Sequence, residues 1–177
     1  EYKICIDVAN GHMKNLYDLV RVFKYFYPNS KIMAGNIANP ETLKMAIESG
    51  VDYIRIGIGS GSGCITSSNT AIHYPMASLV KDCYKYLNDY KWTVGKTNLK
   101  IIADGGIRNY SDVVKALALG ADYVMIGGLF AECVDSNKDL YIQSNGCYVK
   151  ANDEDLQKED IQLYHKFYGM ASKEGMN

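Results

Sequence analysis

Five short apolar runs, at residues 3–8, 31–34, 53–56, 99–103 and 123–126, are separated by segments whose apolar residues recur at three- and four-residue steps. In the first such segment these are Leu16, Leu19, Val20 and Phe23. In the second, Asn39 supplies an N-cap, Pro40 a first helical residue and Glu41 a first-turn acid, and Gly50 is the stop. Ala77, Val80, Tyr84 and Leu87 mark the third helix; Ser111-Asp112 is read as the cap of the fourth, which runs through Val114 and Leu117 to Gly120. Strands alternating with helices at this spacing require a parallel sheet with crossover helices. An open doubly wound sheet would place a GxGxxG turn after its first strand, where this chain has Asp7-Val-Ala-Asn-Gly11. Chemistry is instead spread over successive strand ends, with Asp7, Asn36, Cys64, Asp104 and Gly127 each closing a different one. That distribution belongs to a (β/α)8 barrel. The expected fold is therefore α/β, a TIM barrel of which this chain covers about five βα units of the C-terminal part.

A whole barrel takes about 200 residues or more. The chain has 177 residues and opens on Glu1-Tyr-Lys without an initiator Met, so it reads as part of a longer polypeptide. Residues 1–177 are expected to form a single catalytic barrel domain, incomplete at both ends, with 132–162 a flap-like insertion. Within that polar stretch, 140–142 and 147–149 read as two strands joined at Asn145-Gly146. The formal charge is −1, from 19 basic and 20 acidic side chains interspersed along the chain, which excludes a nucleic-acid or anionic-membrane partner. No apolar run reaches the roughly 18 to 20 residues of a bilayer span. Cysteines 5, 64, 83, 133 and 147 are odd in number and form no CxxC, the pattern of reduced thiols in a cytoplasmic protein.

The stretch Gly57-Ile-Gly-Ser-Gly-Ser-Gly-Cys-Ile-Thr66 follows a strand directly and lets main chain approach an anion or metal ion with no Cβ in the way. Backbone N–H groups and a following helix N-terminus would lower the pKa of the thiol at its far end, making Cys64 the candidate nucleophile. Thr66 has a hydroxyl placed to relay a proton. Cys5, Cys83, Cys133 and Cys147 are expected to be buried and inert. Asp104 precedes Gly105-Gly106, so its carboxylate can accept from a ribose diol while the glycine amides face a phosphate. Gly127-Gly128, ahead of Leu129-Phe-Ala131, resembles the short helix start that completes a barrel's phosphate site. His12, His73 and His165 have no metal-ligand spacing and read as surface or satisfied residues.

Together, the Gly57–Thr66 loop, Ala103-Asp-Gly-Gly106 and Tyr168-Gly-Met170 resemble the inosine monophosphate (IMP) dehydrogenase and guanosine monophosphate (GMP) reductase family of (β/α)8 barrels over nearly the whole chain. Ile6-Asp-Val-Ala-Asn-Gly11, Ile32-Met-Ala-Gly-Asn36, Ile126-Gly-Gly128 and Phe167-Tyr-Gly-Met-Ala-Ser172 lean toward the reductase branch; Gly59-Ser-Gly-Ser62 and Ala103-Asp-Gly-Gly-Ile107 lean toward the dehydrogenase. The resemblance implies an NADPH-dependent oxidoreductase that converts GMP to IMP and ammonia through a covalent Cys64 thioimidate, with Thr66 relaying protons. The alternatives are IMP dehydrogenase chemistry with NAD, or a barrel that binds purine nucleotide without turnover.

By the same resemblance, Ser62, Asp104, Gly105, Gly106, Gly127, Gly128, Gly169, Met170 and Ala171 bind substrate. Asp7, Val8, Ala9, Asn36, Ile56 and Gly57 bind cofactor, and carbonyls of Gly57, Gly59 and Cys64 hold a monovalent cation, K+. A homotetramer is implied as well. Ser67 stands where the reductase usually has Arg, and Ser60 where it often has Pro. The family's acidic partner of the threonine and its early barrel lysine fall outside this chain.

Overall fold

Parallel pairing runs in chain order through five strands of the computed structural model: β1 (Lys3–Asp7), β2 (Lys31–Ile37), β3 (Tyr53–Ile56), β4 (Lys100–Asp104) and β5 (Tyr123–Met125). The structure describes residues 1–61, 64, 66–131, 133, 136, 139–158 and 160–166. Sequential order with no strand inserted between neighbours is the winding of a barrel segment, and it differs from the order reversal of a doubly wound sheet. The α/β class and the five parallel strands match the sequence expectation; the strands make a sheet consistent with part of a barrel.

The helices are α1 (Lys14–Phe26), α2 (Leu43–Ser49, after a 3₁₀ turn at Pro40–Thr42), α3 (Thr66–Thr70), α4 (Met76–Thr93), α5 (Tyr110–Ala118) and α6 (Gly128–Ala131). Strand side chains alternate between two faces. Ile32, Ala34, Ile54, Ile56, Ile101 and Ala103 share one of them, packing with Leu16, Tyr17 and Val20 of α1, Leu43 and Ala46 of α2, and Leu79, Val80, Cys83 and Leu87 of α4. Each fully buried aliphatic side chain there contributes about 1.5–3 kcal/mol. The register puts Asp7 beside Gly35, Gly35 beside Arg55, Arg55 beside Ile102, and Asp104 beside Met125 on the opposite face. That face carries the charge.

One irregularity shapes it. The register between β2 and β3 shifts between Gly35 and Ile37, so Asn36 is an extra residue opposite no partner. Ile37 thereby returns to the core while Asn36 turns toward the charged face, as a bulge does when it re-aims a side chain. Only glycine suits position 35, because a Cβ there would lie 2.6 Å from the Arg55 carbonyl oxygen.

A second, antiparallel sheet of order β7-β6-β8 joins β6 (Leu140–Ser144), β7 (Cys147–Lys150) and β8 (Leu163–His165). Asn145 and Gly146 turn between the first two with φ of 50° and 79°, the conformation a two-residue hairpin demands. β8 has no signal in the sequence: its three residues, Leu-Tyr-His, are too few to show a period. α7 (Asp153–Leu156) is fixed by a capping box between Asn152 and Asp155.

The cap of α5 is corrected. Asn109, not Ser111-Asp112, is its N-cap: the Asn109 side chain accepts from the Asp112 N–H at 3.0 Å, and the Asp112 carboxylate instead accepts from the Arg108 N–H. Among the cysteines expected to be buried, Cys83 is, and burial pushes its thiol up to about 12; Cys5, Cys133 and Cys147 are exposed. Cys5 alternates onto the sheet face that no helix of the core covers, and Cys147 lies on a wholly exposed strand. No helix among the described residues is long and apolar enough to cross a membrane.

Candidate active site

The glycine loop leaves β3 with the Gly57 N–H donating to the Ile37 carbonyl at 2.8 Å, then folds over the tip of β4. Gly57 and Gly59 have φ of +124° and +79°, conformations that L side chains rarely adopt. A Cβ on Gly57 would collide with the Asp104 carbonyl oxygen, and one on Gly105 would lie 2.6 Å from Ser60 Oγ and 2.8 Å from the Gly61 nitrogen. The Ser60 hydroxyl donates to the Asp104 carbonyl at 3.2 Å, which ties the loop to the strand tip. The absence of side chains at Gly57 and Gly105 is therefore a packing requirement between two loops.

Cys64, exposed, has its sulfur 3.3 Å from Thr66 Oγ1, and its N–H donates to the Gly61 carbonyl at 3.0 Å. Burial is the largest single influence on the thiol and pushes it up. Hydrogen bonds from the Thr66 hydroxyl and from the main chain of Thr66 and Gly59 outweigh burial, and the thiol falls below its ordinary value despite the opposing field of Asp104.

Asp104 anchors the charged face. Its Oδ2 accepts from Arg55 Nη2 at 2.7 Å and from Asn36 Nδ2 at 2.8 Å, while Arg55 Nη1 reaches Asp7 Oδ1 at 3.1 Å. Arg55 is 12% exposed and Asp104 21%, whereas Asp7 at the sheet edge is 68% exposed. Asn36 Nδ2 also donates to the Gly57 carbonyl at 2.8 Å, so one amide joins the tips of β2, β3 and β4. Among the described residues, Asn36 Oδ1 and Arg55 Nε are buried without a hydrogen-bond partner. Two orphaned polar atoms on one face are what a polar ligand would satisfy.

Gly127 and Gly128 follow β5, the strand beside Asp104, and a Cβ on either would meet nothing within 4 Å, so the space beside them is open. The Gly127 carbonyl accepts from the Phe130 and Ala131 N–H groups as α6 begins, in agreement with the short helix expected there. Gly106 has φ of +78° with Ser60 nearby. The Val8 N–H donates to the Gly35 carbonyl at 3.0 Å, and Ala9 follows it on the loop after β1. The Ile56 side chain is fully buried against the helices, so only its main chain is available to the loops at the strand tips. Ser62, Gly169, Met170 and Ala171 lie outside the described residues.

Among the described residues the Gly57 and Gly59 carbonyls accept one hydrogen bond each, from Asn36 and from Ser67 Oγ at 3.4 Å, which leaves each a second lone pair. Among the described residues no group of three or more His, Cys, Asp or Glu is arranged to hold a metal.

Sequence reasoning does not single out two residues that the structure puts at this end of the sheet. Arg55 links Asp7 to Asp104; its signal is a charge inside the apolar run Tyr53-Ile-Arg-Ile56, on the alternate face. His12 is held between two loops: Nδ1 lies 2.6 Å from Thr42 Oγ1 and Nε2 is 3.1 Å from the Ala38 nitrogen.

A family model described as the IMP dehydrogenase / GMP reductase domain matches residues 3–153. The GMP reductase of Caenorhabditis elegans is 37% identical over 173 residues, covering 98% of this chain and 42% of that protein. That of Onchocerca volvulus is 38% identical with 98% and 41% covered, and GMP reductase 1 of Homo sapiens 34% identical with 98% and 44% covered. The chain thus spans less than half the length of these curated relatives. With a glycine loop carrying a thiol over an aspartate at neighbouring strand tips, and with these matches, the chain belongs to the IMP dehydrogenase / GMP reductase family.

Proposed function

We propose that this chain supplies the nucleophile and much of the nucleotide site of an NADPH-dependent GMP reductase. The observation that carries the reading is the Cys64–Thr66 pair, 3.3 Å apart, in a loop packed on Asp104. Cys64 as thiolate adds to C2 of the guanine ring. The bond from C2 to its amino nitrogen then breaks, and Thr66 passes a proton to the departing ammonia, leaving a thioimidate. NADPH, when bound, supplies the hydride that reduces C2 as the C–S bond breaks, giving IMP.

Asp104 accepts from the ribose diol, and Gly105, Gly106, Gly127 and Gly128 leave main-chain amides bare for the phosphate, with Ser62, Gly169, Met170 and Ala171 completing the substrate site. Asp7, Val8, Ala9, Asn36 and the main chain of Ile56 and Gly57 form the cofactor side; the unpartnered Asn36 Oδ1 is an acceptor suited to a carboxamide N–H. The free lone pairs of the Gly57 and Gly59 carbonyls, with the Cys64 carbonyl, suit K+, a cation that prefers oxygen. Residues 132–162 act as a flap in a single barrel domain, and the protein works as a cytoplasmic homotetramer.

The test is a steady-state assay of the complete gene product with each nucleotide and each cofactor, following the reduced nicotinamide by absorbance. GMP-driven oxidation of NADPH, abolished by Cys64→Ala, is expected; a near-normal rate in that variant would overturn the reading. Gly59-Ser-Gly-Ser62 favours the dehydrogenase as the second reading, and IMP-driven reduction of NAD would select it. Tight IMP binding with no turnover in either direction would select a non-catalytic barrel.

A further inference from the structure

The loops that follow β1 and β2 are joined by main chain and side chain alike. The Gly11 N–H donates to the Asn36 carbonyl at 2.9 Å, and a Cβ on Gly11 would lie 2.5 Å from that oxygen. The buried Tyr17 hydroxyl donates to the Gly11 carbonyl at 2.6 Å, and burial pushes that phenol up to about 12. His12, next in the chain, makes the remaining links. Because the Ala38 N–H can only donate, Nε2 must be the bare acceptor; the ring proton is then on Nδ1 and goes to Thr42 Oγ1.

We propose that His12, as its Nδ1–H tautomer, is a positioning residue that clamps the loop after β2 to the loop after β1 and so fixes Asn36 against Asp7, Val8 and Ala9 on the cofactor side of the site. This rests on the assignment of those residues to the cofactor. His12 touches no reacting atom in this scheme; it acts through Asn36, which stands two residues before Ala38. Protonation of Nε2 would set one N–H against another and open the clamp.

Burial is the one cause that moves His12, and it moves it below 6.5, so the clamp is closed at neutral pH. Titratable groups on the surrounding elements are Asp7 at the tip of β1, Tyr17 on α1, Glu41 in the 3₁₀ turn and Tyr86 on α4; Lys14 and Lys44 are engaged with Asp18 and Glu48.

The test compares His12→Phe, which removes both links, with His12→Gln, whose amide oxygen can replace the Nε2 acceptor, in the complete gene product. Hydrogen exchange of the peptide carrying Ala38, read by mass spectrometry, should quicken in His12→Phe and be partly restored in His12→Gln. NADPH binding, read by nicotinamide fluorescence, should weaken about five- to tenfold in His12→Phe, the loss expected for one or two neutral hydrogen bonds, and by more than GMP affinity, which the clamp reaches only through the Asn36–Asp104 hydrogen bond. Wild-type affinity should also fall as pH drops below the ordinary histidine range, and His12→Phe should show no such step. Unchanged exchange at Ala38, or unchanged NADPH affinity in His12→Phe, overturns the proposal. Failure of the wild type to bind NADPH overturns the functional reading itself and the cofactor role of the clamp with it.

Discussion

Replacing Arg55 by Met keeps the bulk of the stem and removes the charge that links three strands. Loss of one partner from a fully buried ion pair costs about 3–5 kcal/mol, while exposed pairs are worth about 0–1 kcal/mol. The Arg55–Asp104 contact, at 2.7 Å with 12% and 21% exposure, lies toward the buried end; the Arg55–Asp7 contact, at 3.1 Å with Asp7 68% exposed, lies toward the other. Discounting the first for its residual exposure gives a loss of about 2 kcal/mol for Arg55→Met, of which Asp7 accounts for about 0.5 kcal/mol or less. Two double-mutant cycles separate the contributions, Arg55→Met with Asp104→Asn and Arg55→Met with Asp7→Asn. The amide oxygen that Asp104→Asn introduces can still accept from Asn36, so the first cycle isolates the charge. Urea unfolding followed by circular dichroism should give a coupling of about 1–2 kcal/mol for Asp104, and for Asp7 a smaller one that added salt erases. A coupling to Asp7 equal to or larger than that to Asp104 would refute the inference from burial to energy.

Other outcomes follow from the same geometry. Thr66→Val removes the hydroxyl that helps hold the Cys64 thiol below its ordinary value, so the thiolate fraction near neutrality should fall. Alkylation by iodoacetamide near neutral pH should slow several-fold, with its pH profile displaced upward; an unmoved profile would remove Thr66 from the account. Gly105→Ala meets both a φ of +99° and the Ser60 and Gly61 atoms, so it should cost about 1–3 kcal/mol and weaken GMP binding, as calorimetry would show. Asn109→Ala should cost about 1 kcal/mol in thermal or urea unfolding, and Ser111→Ala much less, because the helix N–H is accepted by Asn109.

The fold is legible where a pattern spans enough residues. The apolar runs of the first half of the chain and part of each helical period bury against a common core: Leu16, Val20, Val80 and Leu87 do so, whereas Leu19, Ala77 and Tyr84 of the same periods are exposed, because Leu79 and Cys83 take the core side of α4. The misplaced cap on α5 shows the limit of that reading: Asn109, Ser111 and Asp112 are all good capping types, and only geometry decides which side-chain oxygen meets an orphaned N–H. The apolar run ends at Ala34, yet the strand continues to Ile37 through a register shift that no periodicity marks.

The site is only partly legible because some of its residues find their partners far along the chain. The glycine loop, Cys64, Asp104 and Gly127 stand out because each departs from the composition of its neighbours. Arg55 and His12 do not: their roles depend on partners 49 and 30 positions away, respectively, in Asp104 and Thr42. A lone Arg in an apolar strand is a sign that the face opposite the core is polar, since a charge is rarely buried without a partner. Arg55 is therefore evidence for carboxylates across the sheet even before any contact is known. It meets two, Asp104 and Asp7, which the functional reading assigns to substrate and to cofactor. A change at Arg55 should therefore disturb both ligands together, whereas one at His12 should weaken the cofactor more than the substrate, which it reaches only through the Asn36–Asp104 hydrogen bond.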